Sequence, residues 1–178
     1  MLLPPHRALL TVGDARAVLA QARDDAPVHA AISLLLLAGL RPIEAEALQT
    51  ADYRPDTGQL QIRAARRPRT IRIAPTAGTA LDTCLKTQNT GPGGYLLPGL
   101  SSTRFVQLVR GVAAAAGISA GVHDLRHAAI EAVLGDGTPV AHIERYFGLA
   151  RTRDRKDLTA LPEGYDAGIA AVLEQTFA

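Results

Sequence analysis

The chain has 178 residues, of which 47% are hydrophobic, and this is enough for one globular domain with a buried core. Its formal net charge is only +2, but the positive charge is almost all arginine and is unevenly spread, with clusters at 63–72 and 151–156 that are either polyanion contacts or solvated loops. The single cysteine excludes an intramolecular disulfide, and the apolar run 32–40 is too short to span a bilayer. We therefore expect a cytoplasmic, nucleoid-associated protein without a membrane partner.

The N-terminal part of the sequence predicts three helices. A capping-box pattern opens a helix over 11–23. The next helix, over 27–38, is apolar nearly all round and is therefore expected at the centre of the domain. Gly39 ends it, so that Arg41 is presented at a helix terminus, and Pro42 suits the first turn of the third helix.

The pattern then changes to that of a sheet. Alternating apolar residues on both sides of an arginine-rich turn predict a β-hairpin over 59–74 with one buried face. Tyr146 lies on the apolar face of a later helix, where core packing is expected. The fold class is therefore mainly α with one small antiparallel β-sheet (α+β). The remaining helices are predicted at 76–86, 101–116, 123–134, 139–147 and 162–176.

Residues 123–127 read His-Asp-Leu-Arg-His and place two imidazoles and a guanidinium on neighbouring positions of one predicted helix. Arginine offers rigid, permanently charged donors that suit phosphate oxygens, and histidine can donate a hydrogen bond near neutral pH. His123 and His127 are also four residues apart on one helical face, a spacing that suits a metal pair. No third ligand accompanies them and Arg126 would repel a cation, so we expect a phosphate-binding cluster and no metal.

A second segment, 39–44, reads Gly-Leu-Arg-Pro-Ile-Glu and brings Arg41 and Glu44 to the start of a helix. Together the two segments resemble the Gly-Leu-Arg-x-x-Glu and His-x-x-Arg-His boxes of the tyrosine recombinases, the phage integrase family. They stand in the family's order, with a predicted hairpin between them. The resemblance implies a tail over 1–10 and an integrase-like catalytic domain over 11–178, without the N-terminal core-binding domain that family members usually carry.

The resemblance also implies a chemistry and the residues that perform it. In the family a tyrosine hydroxyl attacks a DNA phosphodiester without metal or other cofactor, and two arginines stabilise the charge that develops on the phosphate. Arg41 and Arg126 match those arginines. His123 matches the histidine that hydrogen-bonds the same phosphate, and Glu44 matches the acidic partner in the first box, while His127 is expected to orient the site. The implied partner is double-stranded DNA and not a small-molecule substrate.

Three features depart from the family pattern. The hairpin contains no lysine, where the family usually has one that protonates the leaving group. Leu149 stands where histidine or tryptophan is expected, and Leu158 stands in the slot of the nucleophilic tyrosine, although leucine cannot attack phosphorus. Tyr165, seven positions later, supplies the hydroxyl only if the chain carries an insertion, and otherwise it is a half-buried helix tyrosine.

These features leave three hypotheses. The leading one is a DNA-binding pseudo-enzyme that keeps the phosphate-binding residues, has lost or weakened cleavage, and regulates a mobile element or its recombinase. The second is an active enzyme of DNA recombination and integration that forms a 3′-phosphotyrosine with Tyr165, and the third is a protein-interaction module on the same fold. The family also implies self-association through the C-terminal helix, 162–177. The residues predicted to contact DNA are Arg41, Arg63, Arg66, Arg67, Arg69, Arg126, His127, Arg151, Arg153, Arg155 and Lys156.

Overall fold

The computed structural model describes residues 10–63, 67–88, 91, 93–149 and 161–178. Within these ranges the chain forms eight α-helices and one three-stranded antiparallel sheet, which confirms the predicted α+β class. None of the helices in these ranges is long and apolar enough to cross a membrane. The helices are α1 (Val12–Gln21), α2 (Ala26–Leu36), α3 (Pro42–Glu46), α4 (Pro75–Gln88), α5 (Ser102–Ala115), α6 (Val122–Gly135), α7 (Val140–Tyr146) and α8 (Tyr165–Phe177). The strands are β1 (Tyr53–Arg54), β2 (Gln59–Ile62) and β3 (Arg69–Arg72), and a short 3-10 helix covers Thr50–Asp52.

Helix α2 lies at the centre of the domain, as its all-round apolar pattern predicts. Every residue from Ala30 to Leu36 is completely buried, and the helix packs against α1, α4 and α6. At its start the Asp25 carboxylate accepts the backbone N–H of Val28 (3.2 Å). Because α2 is enclosed on all sides, it fixes the position of the segment that follows it, which carries Arg41.

The predicted hairpin is confirmed as strands β2 and β3, although its tip at 64–66 lies outside the described residues. Leu60 pairs with Ile71, and Ile62 pairs with Arg69. Since side chains alternate between the two faces of a strand, Arg69 lies on the same buried face as Ile71. The first strand of the sheet, β1, is not predicted by the sequence, because two residues are too few for an alternating pattern to be visible.

The outer edge of β3 is covered by α7 and α8. The hydroxyl of Tyr146 in α7 donates to the Arg72 carbonyl (2.9 Å), and the Arg72 N–H donates to the Asp166 carboxylate of α8 (2.7 Å). Tyr146 is completely buried, which confirms its predicted place in the core, and burial raises its pKa well above the usual value. These bonds satisfy backbone groups of an edge strand and fix α7 beside β3.

Helix α8 packs back onto the domain. Its apolar residues Ile169, Leu173 and Phe177 are buried, and it contacts α1, α6 and α7. The guanidinium of Arg16 in α1 donates to the Thr176 carbonyl near the end of α8 (2.7 Å). These contacts hold α8 against the domain, and self-association through this helix stays a prediction.

Candidate phosphate-binding site

Arg41 is placed by a tight connection between α2 and α3. Gly39 adopts the left-handed backbone conformation (φ +63°), which glycine enters without steric cost. Arg41 then caps α3, and its backbone N–H donates to the Glu44 carboxylate (2.9 Å). Its side chain is 37% exposed, and Nη2 donates to the carbonyl of Gly148 (3.0 Å). Arg41 is thus held at the surface through both its backbone and its side chain.

Arg126 reaches the same place from the first turns of α6. Its Nε donates to the carbonyl of Gly39 (2.9 Å), and its Nη2 donates to the carbonyl of Phe147 (2.6 Å). Burial, together with the nearby positive charge of Arg41, lowers the pKa of Arg126 to about 10. The group remains charged at neutral pH. The structure therefore brings together the two arginines that stand far apart in the sequence.

His123 and His127 lie on the same helix as Arg126 and are exposed. His123 precedes Arg126 by three positions, so that the two side chains occupy neighbouring turns of the helix surface. The Nε2 atom of His127 lies 3.6 Å from the Glu131 carboxylate, and both side chains are more than half exposed, so this contact adds little stability. Among the described residues no group of three side chains is arranged to hold a metal ion.

A buried ion pair lies directly behind Arg41. The Arg69 Nη1 and Nη2 atoms donate to the two carboxylate oxygens of Glu44 (2.9 and 3.1 Å), and its Nε donates to the Tyr146 carbonyl (2.7 Å). Burial alone would raise the pKa of Glu44, but the hydrogen bonds and charge of Arg69, with the Arg41 N–H, lower it overall. Both side chains are almost fully buried. Removing two charges from water costs free energy, and the buried pair is stable only because each group neutralises the other and hydrogen-bonds it.

The prediction that Arg69 contacts DNA is wrong, because its side chain is fully buried and its three nitrogens are all hydrogen-bonded within the protein. The sequence pattern contained the signal for this placement. Ile71 and Ile73 mark the buried face of β3, and counting back by two along the strand places Arg69 on that face. Proximity to other arginines in the sequence does not separate the two faces of a strand, and this is why the pattern of basic residues alone misplaces Arg69.

Sequence reasoning also missed the element that gathers the arginines, which is the C-terminus of α7 with the three residues that follow it. The four consecutive backbone carbonyls of residues 146–149 (the α7 turn) each accept a hydrogen bond from a different arginine (the arginine cluster). Carbonyls at a helix C-terminus carry partial negative charge and lack partners within the helix, so guanidinium groups bind them favourably. The four pairs are Arg69 with Tyr146 (2.7 Å), Arg126 with Phe147 (2.6 Å), Arg41 with Gly148 (3.0 Å) and Arg67 with Leu149 (2.7 Å).

Of the remaining residues predicted to contact DNA, Arg63 lies within the part of the chain that the structure describes. Arg63 is more than half exposed, but its Nε lies 2.6 Å from the Oδ1 atom of Asp52, which is a partner that the sequence did not indicate. Leu149 contributes its carbonyl to the α7 turn, while its side chain packs partly buried against the core and offers no proton to a phosphate. Five further residues predicted to contact DNA lie outside the described residues: Arg66, Arg151, Arg153, Arg155 and Lys156. Leu158, in the slot of the nucleophilic tyrosine, lies outside them as well.

Tyr165 is the first residue of α8 and packs against α7. Its ring lies 5.5 Å from the His142 ring, centroid to centroid, and the side chain is about half buried. Burial raises the pKa of the Tyr165 hydroxyl, while the neighbouring Arg145 acts in the opposite direction and only partly offsets it. A raised pKa is the opposite of the shift that activates a nucleophile.

Comparison with solved structures identifies the fold. XerA recombinase matches with a TM-score of 0.73 and 22% identity, covering 85% of this chain and 60% of its own. The integrase from mycobacterium phage Brujita matches with a TM-score of 0.73 and 16% identity, covering 100% of this chain and 60% of its own. The chain therefore spans about 60% of the length of these two proteins.

Structures of lambda integrase also match. Its catalytic core has a TM-score of 0.61 and 16% identity, with coverage of 80% of this chain and 95% of the core. A dimer of its residues 75–356 bound to a COC′ core site has a TM-score of 0.66 and 15% identity, with coverage of 90% and 64%. No protein-family model and no curated protein sequence matches this chain significantly. At these identities the likeness establishes the fold alone, and the chain has the fold of the tyrosine recombinase and integrase catalytic domain.

Proposed function

We propose that this chain binds the phosphate backbone of double-stranded DNA and that its capacity to cleave DNA is lost or weakened. The observation that carries the proposal is the arginine cluster on the α7 turn. Among the described residues Arg69 pairs with the Glu44 carboxylate, whereas Arg41, Arg67 and Arg126 donate to backbone carbonyls, which carry no net charge. An anion that enters beside Arg41 and Arg126 relieves their mutual repulsion, and arginine forks suit the oxygens of a phosphodiester.

The choice of duplex DNA over another phosphate rests on the surroundings of the cluster. The cluster includes Arg67 from the hairpin, and the exposed His123 and His127 lie on α6, the helix that carries Arg126. These side chains offer a row of contacts to a backbone, which position a protein on DNA without reading sequence. The same fold in lambda integrase is bound to a core site.

The loss of cleavage rests on a hairpin without the lysine that would protonate the leaving group, and on the residues at two later positions of the family pattern. Leu149 offers only a carbonyl at the position where the resemblance calls for histidine or tryptophan, and leucine also fills the tyrosine slot at Leu158. The rescue candidate, Tyr165, packs on His142 with a raised pKa. A tyrosine in this state is a weak nucleophile for phosphorus.

Binding is expected to depend on Arg126 and to weaken steeply with salt. Arg126→Ala should lower affinity for a fluorescent duplex by about 10- to 100-fold, since a hydrogen bond between charged groups contributes about 1.5–3 kcal/mol. Affinity should be followed by anisotropy across roughly 50 to 200 mM salt, where release of counterions from DNA reduces binding. The matched control is Arg110→Ala, which removes an equal charge from the exposed surface of α5. Equal losses in the two variants, or affinity indifferent to salt, would contradict the proposal.

No covalent protein-DNA product is expected. The chain should be incubated with nicked duplex DNA from its native locus and resolved by denaturing electrophoresis, in parallel with Tyr165→Phe. A shifted band that disappears in Tyr165→Phe would establish the alternative, an active recombinase that forms a 3′-phosphotyrosine. Absence of both the band and DNA binding would favour the protein-interaction module.

A further inference from the structure

The Glu44 carboxylate lies beside the guanidinium groups of Arg69 and Arg41, but only the Arg69 group is within hydrogen-bond distance of it. Arg69 takes both carboxylate oxygens in a fork at 2.9 and 3.1 Å. Arg41 Nη1 lies 3.7 Å from Oε1, beyond hydrogen-bond distance, although the Arg41 backbone N–H reaches the same carboxylate. Each oxygen of the carboxylate thus already accepts a hydrogen bond from Arg69, and the Arg41 side chain donates instead to the Gly148 carbonyl at the surface.

The absence of a side chain at Gly148 leaves room for the Arg69 guanidinium. Gly148 has φ +61°, and a Cβ atom at this position would lie 2.7 Å from the Arg69 Nη1 atom and 3.0 Å from its Cζ atom. Glycine at 148 therefore leaves room for the fork between Arg69 and Glu44, and it also supplies the carbonyl that Arg41 contacts. One residue thus accommodates the buried arginine and holds the exposed one.

We propose that Arg69 is a positioning residue of the phosphate site: by occupying both oxygens of Glu44, it keeps the Arg41 side chain off that carboxylate and available to a DNA phosphate. Without Arg69, the Arg41 guanidinium needs to move by only about an ångström to hydrogen-bond Glu44. Its charge would then be neutralised by the protein and not by DNA. This inference rests on the proposed function, and it explains what keeps the Arg41 side chain available for its phosphate contact.

The number of phosphate contacts, read from the salt dependence of DNA binding, provides the test. Each contact contributes about 0.9 to the slope of log affinity against log salt concentration. Arg69 is fully buried and cannot contact DNA itself. Arg69→Gln should nevertheless reduce the slope by about 0.9, as much as Arg41→Ala does, because it removes the Arg41 contact. In the Arg41→Ala background, Arg69→Gln should leave the slope unchanged.

A rescue separates positioning from a merely structural role. Adding Glu44→Gln to Arg69→Gln removes the carboxylate that would capture Arg41, so that the double variant should regain the slope of the unmodified chain. If Arg69 only supported the fold, the second change to the same buried pair would leave binding as weak or weaker. Far-UV circular dichroism on each variant verifies folding. If Arg69→Gln does not fold, Arg69→Lys carries the same prediction, since an ammonium group cannot reproduce the fork that occupies both oxygens.

The results of these binding experiments distinguish failure of the proposed function from failure of the positioning role of Arg69. An unmodified chain without salt-dependent DNA binding overturns the proposed function, and this inference with it. Salt-dependent binding whose slope is unchanged by Arg69→Gln, or is lowered further by it in the Arg41→Ala background, overturns the positioning role alone. Failure of Glu44→Gln to restore the slope in folded Arg69→Gln also overturns it.

Discussion

Glu44→Gln should lower the free energy of unfolding by about 3–5 kcal/mol, because it leaves the buried Arg69 without a counter-charge. The amide keeps the shape of the carboxylate but provides only one acceptor oxygen for a fork that now uses two. Urea denaturation, followed by circular dichroism, measures the loss. The matched control is Glu131→Gln on the exposed surface of α6, whose effect should stay within about 1 kcal/mol.

The pH dependence gives Glu44→Gln a second signature. The pKa of Glu44 is lowered in the folded protein, so its ionised form contributes stability above the ordinary carboxyl range, about pH 4, and that contribution is lost as pH falls through the folded value. The stability difference between the unmodified chain and Glu44→Gln should therefore narrow in acid. A difference that stays constant from neutral to acid pH, or a loss no larger than that of Glu131→Gln, would contradict the role assigned to this ion pair.

The sequence predicts those parts of the molecule that depend on side-chain pattern. The all-round apolar segment gave α2 its central position, and the position of Tyr146 on an apolar helix face predicted its burial. Both follow from the removal of apolar surface from water, which leaves a periodic signal in the residues themselves. The meeting of Arg41 and Arg126 is different. It came from resemblance to a family, since nothing in the spacing of the two segments indicates that they touch.

The α7 turn could not be predicted, because its contribution comes from backbone carbonyls, which every residue has. Tyr146 to Leu149 read as two aromatic residues, a glycine and a leucine, and none of these side chains indicates an arginine-binding role. Arg69 shows the opposite case, in which the signal was present as strand alternation but was obscured by adjacent arginines. A count of basic residues predicts a charged region, whereas the strand register decides which of them face the solvent.

Gly39→Ala should destabilise the domain by about 2–5 kcal/mol, the sum of a left-handed backbone penalty of about 1–2 and overpacking of about 1–3. Gly39 has φ +63°, and a Cβ atom there would lie 2.2 Å from two ring carbons of Phe147. Phe147 is completely buried, and because side chains in protein interiors are closely packed, its ring can withdraw only by displacing its neighbours. Thermal and urea denaturation measure the loss, and the matched control is Gly117→Ala.

Gly117 isolates the steric part of this prediction. It has φ +74°, yet a Cβ atom there would meet nothing within 4 Å, so that Gly117→Ala carries only the backbone strain. The excess loss in Gly39→Ala is then due to the Phe147 ring. Because the Gly39 carbonyl also accepts the Arg126 Nε bond, and Phe147 accepts the Nη2 bond, a displacement of either residue moves Arg126 as well. Gly39→Ala should therefore weaken DNA binding where Gly117→Ala does not, and equal stability or equal affinity in the two variants would contradict a site that depends on this close packing.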